Sequence, residues 1–368
     1  MNDDGYMHLA LQLAENGCGW TAPNPMVGAV IVKDSRIIGQ GWHEKYGGLH
    51  AERNALAACA EDPAGSTLYV TLEPCCHYGK QPPCVDAVLA AGIRRVVVGS
   101  ADPNPLVAGK GIAILRAHGI EVRENVLREE CDRLNQVFFH YITTGRPFVA
   151  MKYAMTMDGK IAAYTGASQW VTGEAARAHV QQLRHRYSGI MVGVDTVLAD
   201  DPSLECHMAS GRNPVRIICD THLRTPLNAQ VVTTAGSTPT IFATCCTEQS
   251  RQAPYLRAGC RVLCLPPRSG HVDLVRLMDA LGQMQIDSIL LEGGGTLNWS
   301  ALESGVIQRV YTYIAPKLFG GKTAKTPVEG AGVPAPGDAF CLKNSRLTRL
   351  GEDFLIESEV VHPCSPES

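Results

Sequence analysis

The chain has 368 residues, of which 45% are apolar and 19% charged, and its formal net charge is −3. That length suits two cores better than one, the composition excludes extensive disorder and fibrous architectures, and the charge gives no general attraction to nucleic acid or anionic membrane. No apolar run approaches the roughly 18 to 20 residues that span a bilayer, and the acidic start Met1-Asn2-Asp3-Asp4 is unlike a basic secretory leader, so a cytoplasmic protein is expected.

Helix and strand signals alternate from the start. Tyr6, Leu9, Ala10, Leu13 and Ala14 recur at helical spacing, and Gly17 and Gly19 end the run. Val27 to Val32 reads as a strand, closed by a turn at Lys33-Asp34-Ser35. A helix over about His50 to Ala60, a strand at Thr67 to Leu72, a helix after Pro82-Pro83 and a strand at Arg95 to Gly99 follow. A helix near Gly111 to Ala117 and a strand at Ile120 to Val122 complete an α/β layered set.

The pattern breaks at Thr143-Thr144-Gly145-Arg146-Pro147, which predicts a linker and domains over 1–145 and 146–368. A second α/β series then begins with a strand at Phe148 to Ala154 and a helix near Glu174 to Arg186. Strands are expected at Ile190 to Val194, Val215 to Asp220, Thr240 to Ala243, Arg261 to Leu265, Ser288 to Glu292 and Arg309 to Ile314. Helices are expected near Val272 to Gly282 and Leu297 to Ser304. The tail after Lys317 is rich in Gly and Pro, and Pro363 to Ser368 are expected to fray.

The 14 cysteines are expected to be reduced, most of them small buried hydrophobes. Cys18, Cys59, Cys131, Cys206, Cys219, Cys260, Cys264, Cys341 and Cys364 are scattered without ligand-like spacing, and the pair Cys245-Cys246 is read as structural too. The region from Cys75 to Cys84 stands apart. His50-Ala51-Glu52 opens a predicted helix, and Glu73-Pro74-Cys75 is followed after eight residues by Cys84. One imidazole and two thiolates suit Zn²⁺ and leave a fourth position for a water that the metal activates. Glu52, two residues past the histidine, is badly placed to ligate and well placed to shuttle protons. The alternative is a closed structural site with Cys76 or His77 as fourth ligand, which would leave Glu52 without a task.

The His-x-Glu and Pro-Cys stretches resemble the zinc nucleobase-deaminase superfamily, whose glutamate acts as acid and base while water attacks the amino-bearing ring carbon. The usual second stretch there is Pro-Cys-x-x-Cys. The longer loop here, with Pro23-Asn24-Pro25 and Val27-Gly28 upstream, resembles the bifunctional riboflavin-biosynthesis deaminase/reductase family. The resemblance implies one zinc per chain on His50, Cys75 and Cys84, a catalytic Glu52, and Asn24 beside the pyrimidine, although an Asn between prolines is ordinarily a turn-former. Cys76 stands where many family members carry serine and stays outside the ligand set. His43 and His77 are read as supporting or surface residues.

From about Phe148 the chain resembles the reductase half of that family, which is related to dihydrofolate reductase folds. The matching pieces are Lys152, Ala154, Thr156 and Asp158-Gly159-Lys160; Ser168, Trp170 and Thr172; Leu183-Arg184; Asp195-Thr196, Asp200-Asp201-Pro202 and Leu204; and Glu292 to Thr296. The implied fold is a cytidine-deaminase-like three-layer α/β domain followed by a dihydrofolate-reductase-like α/β domain. NADPH contacts map onto Ala154, Trp170, Thr196, Asp200, Gly294, Gly295 and Thr296. Substrate contacts map onto Ser168, Arg184, Leu204 and Glu292.

Arg184 suits a two-pronged phosphate grip. His207 stands where many relatives carry arginine, so either it holds the phosphate more weakly or Arg184 does most of the work. Lys152 is either a strand lysine snorkelling to the surface or a cation near the reacting ribose. Trp170 is either a core aromatic or a cofactor wall. No Gly-x-Gly-x-x-Gly fingerprint follows the first strand of either half, so a Rossmann site is not indicated.

The implied activity is zinc-dependent hydrolytic deamination of 2,5-diamino-6-ribosylamino-4(3H)-pyrimidinone 5′-phosphate. NADPH-dependent reduction of the ribosyl chain to ribityl follows. The partners implied are this small molecule and further copies of the chain, as a homodimer or homotetramer. Neither a membrane nor a nucleic acid is among them: a nucleic-acid deaminase would need a basic stripe and stacking aromatics, and aromatics are 6%. A zinc-binding regulator that merely senses NADPH is a further rival, marked by a fully ligated metal and no ammonia release. NADPH is not separable from NADH on sequence.

Overall fold

A computed structural model describes residues 1–361; Cys364 and the stretch Pro363 to Ser368 lie outside the described residues. The chain forms two units, Met1–Gly145 and the part from Arg146 onward. The first contains α1 (Asp3–Glu15), β1 (Gly28–Lys33), β2 (Arg36–Trp42), α2 (Ala51–Ala57), β3 (Thr67–Leu72), α3 (Cys84–Ala90), β4 (Arg95–Ser100), α4 (Lys110–Ala117), β5 (Glu121–Arg123), α5 (Arg128–Leu134) and α6 (Gln136–Thr144). Its sheet has the order β2-β1-β3-β4-β5. Pairing is antiparallel around β1 and parallel from β3 to β5.

Alternating strand side chains decide the layering. Ala29, Ile31, Leu68, Val70, Val96 and Val98 pack with Ala55, Val85, Val88 and Leu115 of α2, α3 and α4. Val30, Val32, Tyr69 and Val97 point the other way, to Tyr6, Met7 and Ala10 of α1 and Cys131 of α5. The result is the expected three-layer domain. Gly41 lets α2 approach β2: a Cβ there would stand 2.4 Å from the Ala55 backbone nitrogen.

The start of α1 is tied to the sheet by one carboxylate. Asp3 accepts from Arg95 Nη1 at 3.0 Å and Nη2 at 2.9 Å, from Tyr69 Oη at 2.8 Å, and from Arg123. The Arg95 hydrogen bonds, chiefly, hold its carboxyl down at about 2. Replacing Asp3 by Asn is expected to cost about 2 kcal/mol of stability. Because the folded pKa lies below the ordinary value of 3.8, that contribution is complete above it and is lost as pH falls toward 2. Urea unfolding between neutral and acid pH checks this; equal midpoints and equal acid dependence in D3N would refute it.

The second unit contains β6 (Phe148–Thr156), α7 (Glu174–Arg186), β7 (Gly189–Gly193), α8 (Val194–Asp200), β8 (Val215–Cys219), α9 (Gln230–Thr233), β9 (Thr240–Thr244), α10 (Gln249–Arg257), β10 (Arg261–Cys264), β11 (Pro267–Arg268), β12 (His271–Val272), α11 (Leu274–Gln283), β13 (Ser288–Leu291), α12 (Gly295–Glu303), β14 (Arg309–Ala315), β15 (Leu342–Leu350) and β16 (Asp353–Val360). Nine strands form one sheet, in the order β10-β9-β8-β7-β13-β6-β14-β16-β15. It is parallel from β10 to β14, and β16 and β15 join antiparallel. Met191, Ile217 and Ile289 face α11 and α12, while Ile190, Ile218 and Phe242 face α9 and α10.

Several elements depart from the expectation. The Gly- and Pro-rich tail after Lys317, for which no element is predicted, carries β15 and β16. Strand β15 is exposed almost throughout, so no period-two apolar signal marks it. Glycines 39 and 41 mask β2, and Pro254 inside α10 masks that helix. Helices α5, α6 and α8 were likewise unforeseen. Cysteine burial needs correction too: among the described cysteines only Cys84, Cys131, Cys206 and Cys260 are buried, and Cys264 and Cys341 are exposed, the first at the end of the edge strand β10 and the second just before the exposed β15. Among the described residues no helix is long and apolar enough to cross a membrane.

Candidate functional site

Three chain segments converge at one end of the first unit. His50 is the residue capping the start of α2, Cys84 is the first residue of α3, and Cys75 lies just beyond the end of β3. His50 Nδ1 is 3.5 Å from Cys75 Sγ and 3.4 Å from Cys84 Sγ. Bonds of about 2.3 Å to sulfur and 2.0 Å to nitrogen, at the tetrahedral angle, set such separations near 3.5 Å. The three side chains therefore fit a tetrahedral zinc with one position left over. Among the described residues they are the group of His, Cys, Asp and Glu whose ligand atoms all lie within 4.8 Å of one another. Cys76 does not join them, because its Sγ turns to the Leu106 carbonyl at 3.8 Å.

The surroundings favour thiolate. The Cys84 backbone N–H donates to Cys75 Sγ at 3.4 Å, and hydrogen bonding from the Cys84 thiol, ahead of that from His50, holds Cys75 well below the usual thiol range. Two contacts fix the ligand-bearing loops. Arg53 Nη2 donates to the Pro83 carbonyl at 2.9 Å. The buried Glu73 accepts from the backbones of Gly109 and Ile112 on the α4 side. Glu52 sits in the first turn of α2, 3% exposed, and burial pushes its carboxyl up to about 7, with the Cys75 sulfur adding to the push.

These groups open into a cavity of about 280 Å³ whose walls include Asn24, His43, Tyr46, His77, Lys80, Asp102 and Asn104. His43 Nδ1 meets the Leu49 carbonyl at 2.9 Å, and Asn24 Nδ2 meets His43 Nε2 at 3.2 Å. This pattern makes Nδ1 the donor and Nε2 the acceptor, which turns the Asn24 carbonyl oxygen away from His43. His43 is thus a buried support for Asn24, not a surface residue. Sequence reasoning passed over Lys80, Asp102 and Asn104. The Asp102-Pro103-Asn104 turn directly after β4 was the available signal. Burial raises Asp102 to about 6.

A second cavity, of about 580 Å³, lies in the second unit. It gathers Ala154, Trp170, Thr196, Asp200 and Gly294 with Lys152, Ser168, Arg184, His207 and Glu292. Glu292, at the end of β13, receives Arg184 Nε at 2.9 Å and Nη2 at 3.2 Å, and Lys152 Nζ stands 3.5 Å away. Burial alone would raise Glu292, but Arg184 and then Lys152 outweigh it and hold the carboxyl at about 2. Lys152 therefore does not snorkel to the surface. Trp170 is 64% exposed, so it is no core aromatic, and the Arg177 guanidinium lies 4.8 Å over its ring.

Three of the expected contact residues are not among the residues lining this cavity. Leu204 is buried in the core with Ile190 and Val192, so its side chain does not reach the cavity. Gly295 is buried, and a Cβ there would stand 2.7 Å from the Thr326 carbonyl, so the 326–329 segment covers it. Thr296 lines a smaller neighbouring cavity of about 170 Å³ with His222, Arg224 and His271. The exposed ring of Trp170, the side-chain-free Gly293-Gly294 turn and the hydroxyl of Thr196 make a surface suited to a dinucleotide.

Residues 1–100 match the cytidine and deoxycytidylate deaminase zinc-binding region, and residues 147–356 match the RibD C-terminal domain. The chain is 55% identical over 363 residues to a riboflavin biosynthesis protein RibD of Actinobacillus pleuropneumoniae, covering 99% of this chain and 96% of that protein. It is 40% identical to the Escherichia coli protein of the same name, covering 97% and 99%. A solved Acinetobacter baumannii RibD superposes with a TM-score of 0.87 at 36% identity, covering 98% and 99%. A Thermotoga maritima deaminase/reductase superposes at 0.84 with 37% identity and the same coverage.

Proposed function

Because this chain belongs to the RibD family of bifunctional riboflavin-biosynthesis enzymes, a deaminase and a reductase joined in one polypeptide, we propose how its own residues divide the two reactions. Deamination is assigned to residues 1–145 and reduction to 146–368. The observation that carries the first assignment is the His50–Cys75–Cys84 triangle at tetrahedral spacing beside the buried Glu52.

Bound zinc supplies a Lewis acid that activates water. Glu52 takes the proton of the attacking water and delivers it to the departing amino nitrogen, so that ammonia leaves the pyrimidine ring. Asn24, oriented by His43, presents its amide to the ring edge. The substrate is 2,5-diamino-6-ribosylamino-4(3H)-pyrimidinone 5′-phosphate.

In the second cavity NADPH supplies the hydride when bound. Ala154, Trp170, Thr196, Asp200, Gly294, Gly295 and Thr296 are proposed to hold it, Gly295 through its backbone. Glu292 fixes Lys152 and Arg184, and Lys152 directs its ammonium toward the ribose. Ser168, Arg184, Leu204, Glu292 and His207 surround the sugar phosphate. The proposal extends to a cytoplasmic homo-oligomer, dimer or tetramer, whose mass light scattering would read.

Metal removal tests the division. A chelator is expected to abolish ammonia release, zinc is expected to restore it, and NADPH oxidation on the deaminated product should be unaffected throughout. Full deaminase turnover in zinc-free protein would refute the assignment.

A further inference from the structure

The segment that carries Asn24 has few backbone groups with which to hold itself. Pro23 and Pro25 have no N–H to give, and the segment precedes β1, outside the sheet. The Asn24 N–H donates to the Thr21 carbonyl at 2.8 Å, and the Val27 carbonyl accepts from the His43 N–H at 2.9 Å. Met26, between them, is held from far along the chain. Its N–H donates to Asn135 Oδ1 at 2.9 Å, and Asn135 Nδ2 donates to its carbonyl at 2.9 Å.

Asn135 lies 109 residues on, between α5 and α6, and is 2% exposed. Its one amide meets both backbone groups of one residue, as the peptide of a neighbouring strand would. An amide suits that double contact, whereas a carboxylate accepts without donating and an aliphatic side chain does neither. The link from Met26 back to Asn24 has little slack, because Pro25 between them fixes its own φ and restricts the backbone of Asn24. Phe138, Tyr141 and Ile142 on α6, the helix that Asn135 introduces, line the same cavity as Asn24. The clamp therefore ties two parts of the cavity wall together.

We propose that Asn135 is a positioning residue for deamination: by fixing Met26 it sets Asn24 at the edge of the pyrimidine. The proposal rests on the reading of Asn24 as a contact to that ring. Asn135 and α6 lie beyond residues 1–100, the part that matches the deaminase zinc-binding region, so the clamp belongs to a stretch that the zinc motif does not announce.

A double-mutant cycle on the full, zinc-loaded chain separates positioning from mere support of the junction between α5 and α6. Asn135→Ala should lower deaminase kcat/KM roughly 10- to 100-fold, with zinc content and reduction of the deaminated product unchanged. Asn24→Ala should lower it as well, and the two losses should divide between KM and kcat in the same way. In the Asn24→Ala background, Asn135→Ala should then cost less than about twofold, because no amide is left to position. Asn135→Asp, of the same size, still accepts from the Met26 N–H and no longer donates to its carbonyl. It should fall between, and it carries the same cycle if Asn135→Ala does not fold.

Full deamination by the folded Asn135 variants, loss of zinc along with activity, or an equal loss in the parent and Asn24→Ala backgrounds would each overturn the proposal. Undiminished deamination by Asn24→Ala alone would instead sink the reading of Asn24, and the proposal with it.

Discussion

Replacing Glu52 by Gln is expected to leave about one zinc per chain and to lower deamination roughly 10²- to 10⁴-fold. The amide keeps the shape of the carboxylate but cannot accept a proton and hand it on. Glu52 meets the Cys84 thiol but is not one of the three groups at ligand spacing, His50, Cys75 and Cys84, and an amide can keep that contact, so metal content should survive. Reduction of the already deaminated product should also survive, because Lys152, Glu292 and Trp170 lie in the other unit. Metal analysis and ammonia release on the same preparation decide it. Normal turnover in E52Q would remove the proton-carrying role, and loss of zinc would mean that Glu52 holds the metal site together.

The second large effect is expected at Glu292. This carboxylate is 11% exposed and faces both Arg184 and Lys152. Glu292→Gln leaves two buried cations uncompensated, which is expected to destabilise the second unit by about 3 to 5 kcal/mol and to abolish reduction. The pH dependence follows from the same contacts. Its folded pKa of about 2 lies below the ordinary 4.5, so its contribution is complete above that value and disappears as pH falls toward 2. The variant should lose that acid dependence. Urea unfolding of parent and variant measures both, and equal stability at neutral pH would show that Glu292 does not organise the cavity.

The legible parts of this protein are those written within short stretches of chain. His50 and Glu52 share one helix start, and Cys75 and Cys84 flank one loop, so type and spacing expose the metal chemistry directly. The three-layer packing follows from strands such as Val30–Ile31–Val32, whose neighbours alternate between two helical layers. What stayed hidden depends on partners far away in sequence. Arg184 reads as a phosphate grip, and the sequence does not announce that Glu292, 108 residues on, meets its fork. Leu204 reads as a substrate contact, and the sequence does not announce that its side chain packs into the core around Ile190. His43 reads as either a supporting or a surface residue until Leu49 and Asn24 fix both its nitrogens. Strand β15 pairs through its backbone with β16 while its side chains face water, and no side-chain pattern can announce that.

The decisive measurement incubates the purified chain with the diaminopyrimidinone phosphate and follows ammonia and NADPH separately. Ammonia should appear at the same rate with or without NADPH, and NADPH should be consumed only after deamination has supplied its substrate. NADPH consumption from the undeaminated compound by E52Q, or ammonia release that requires the cofactor, would show that the two reactions are not housed and ordered as described.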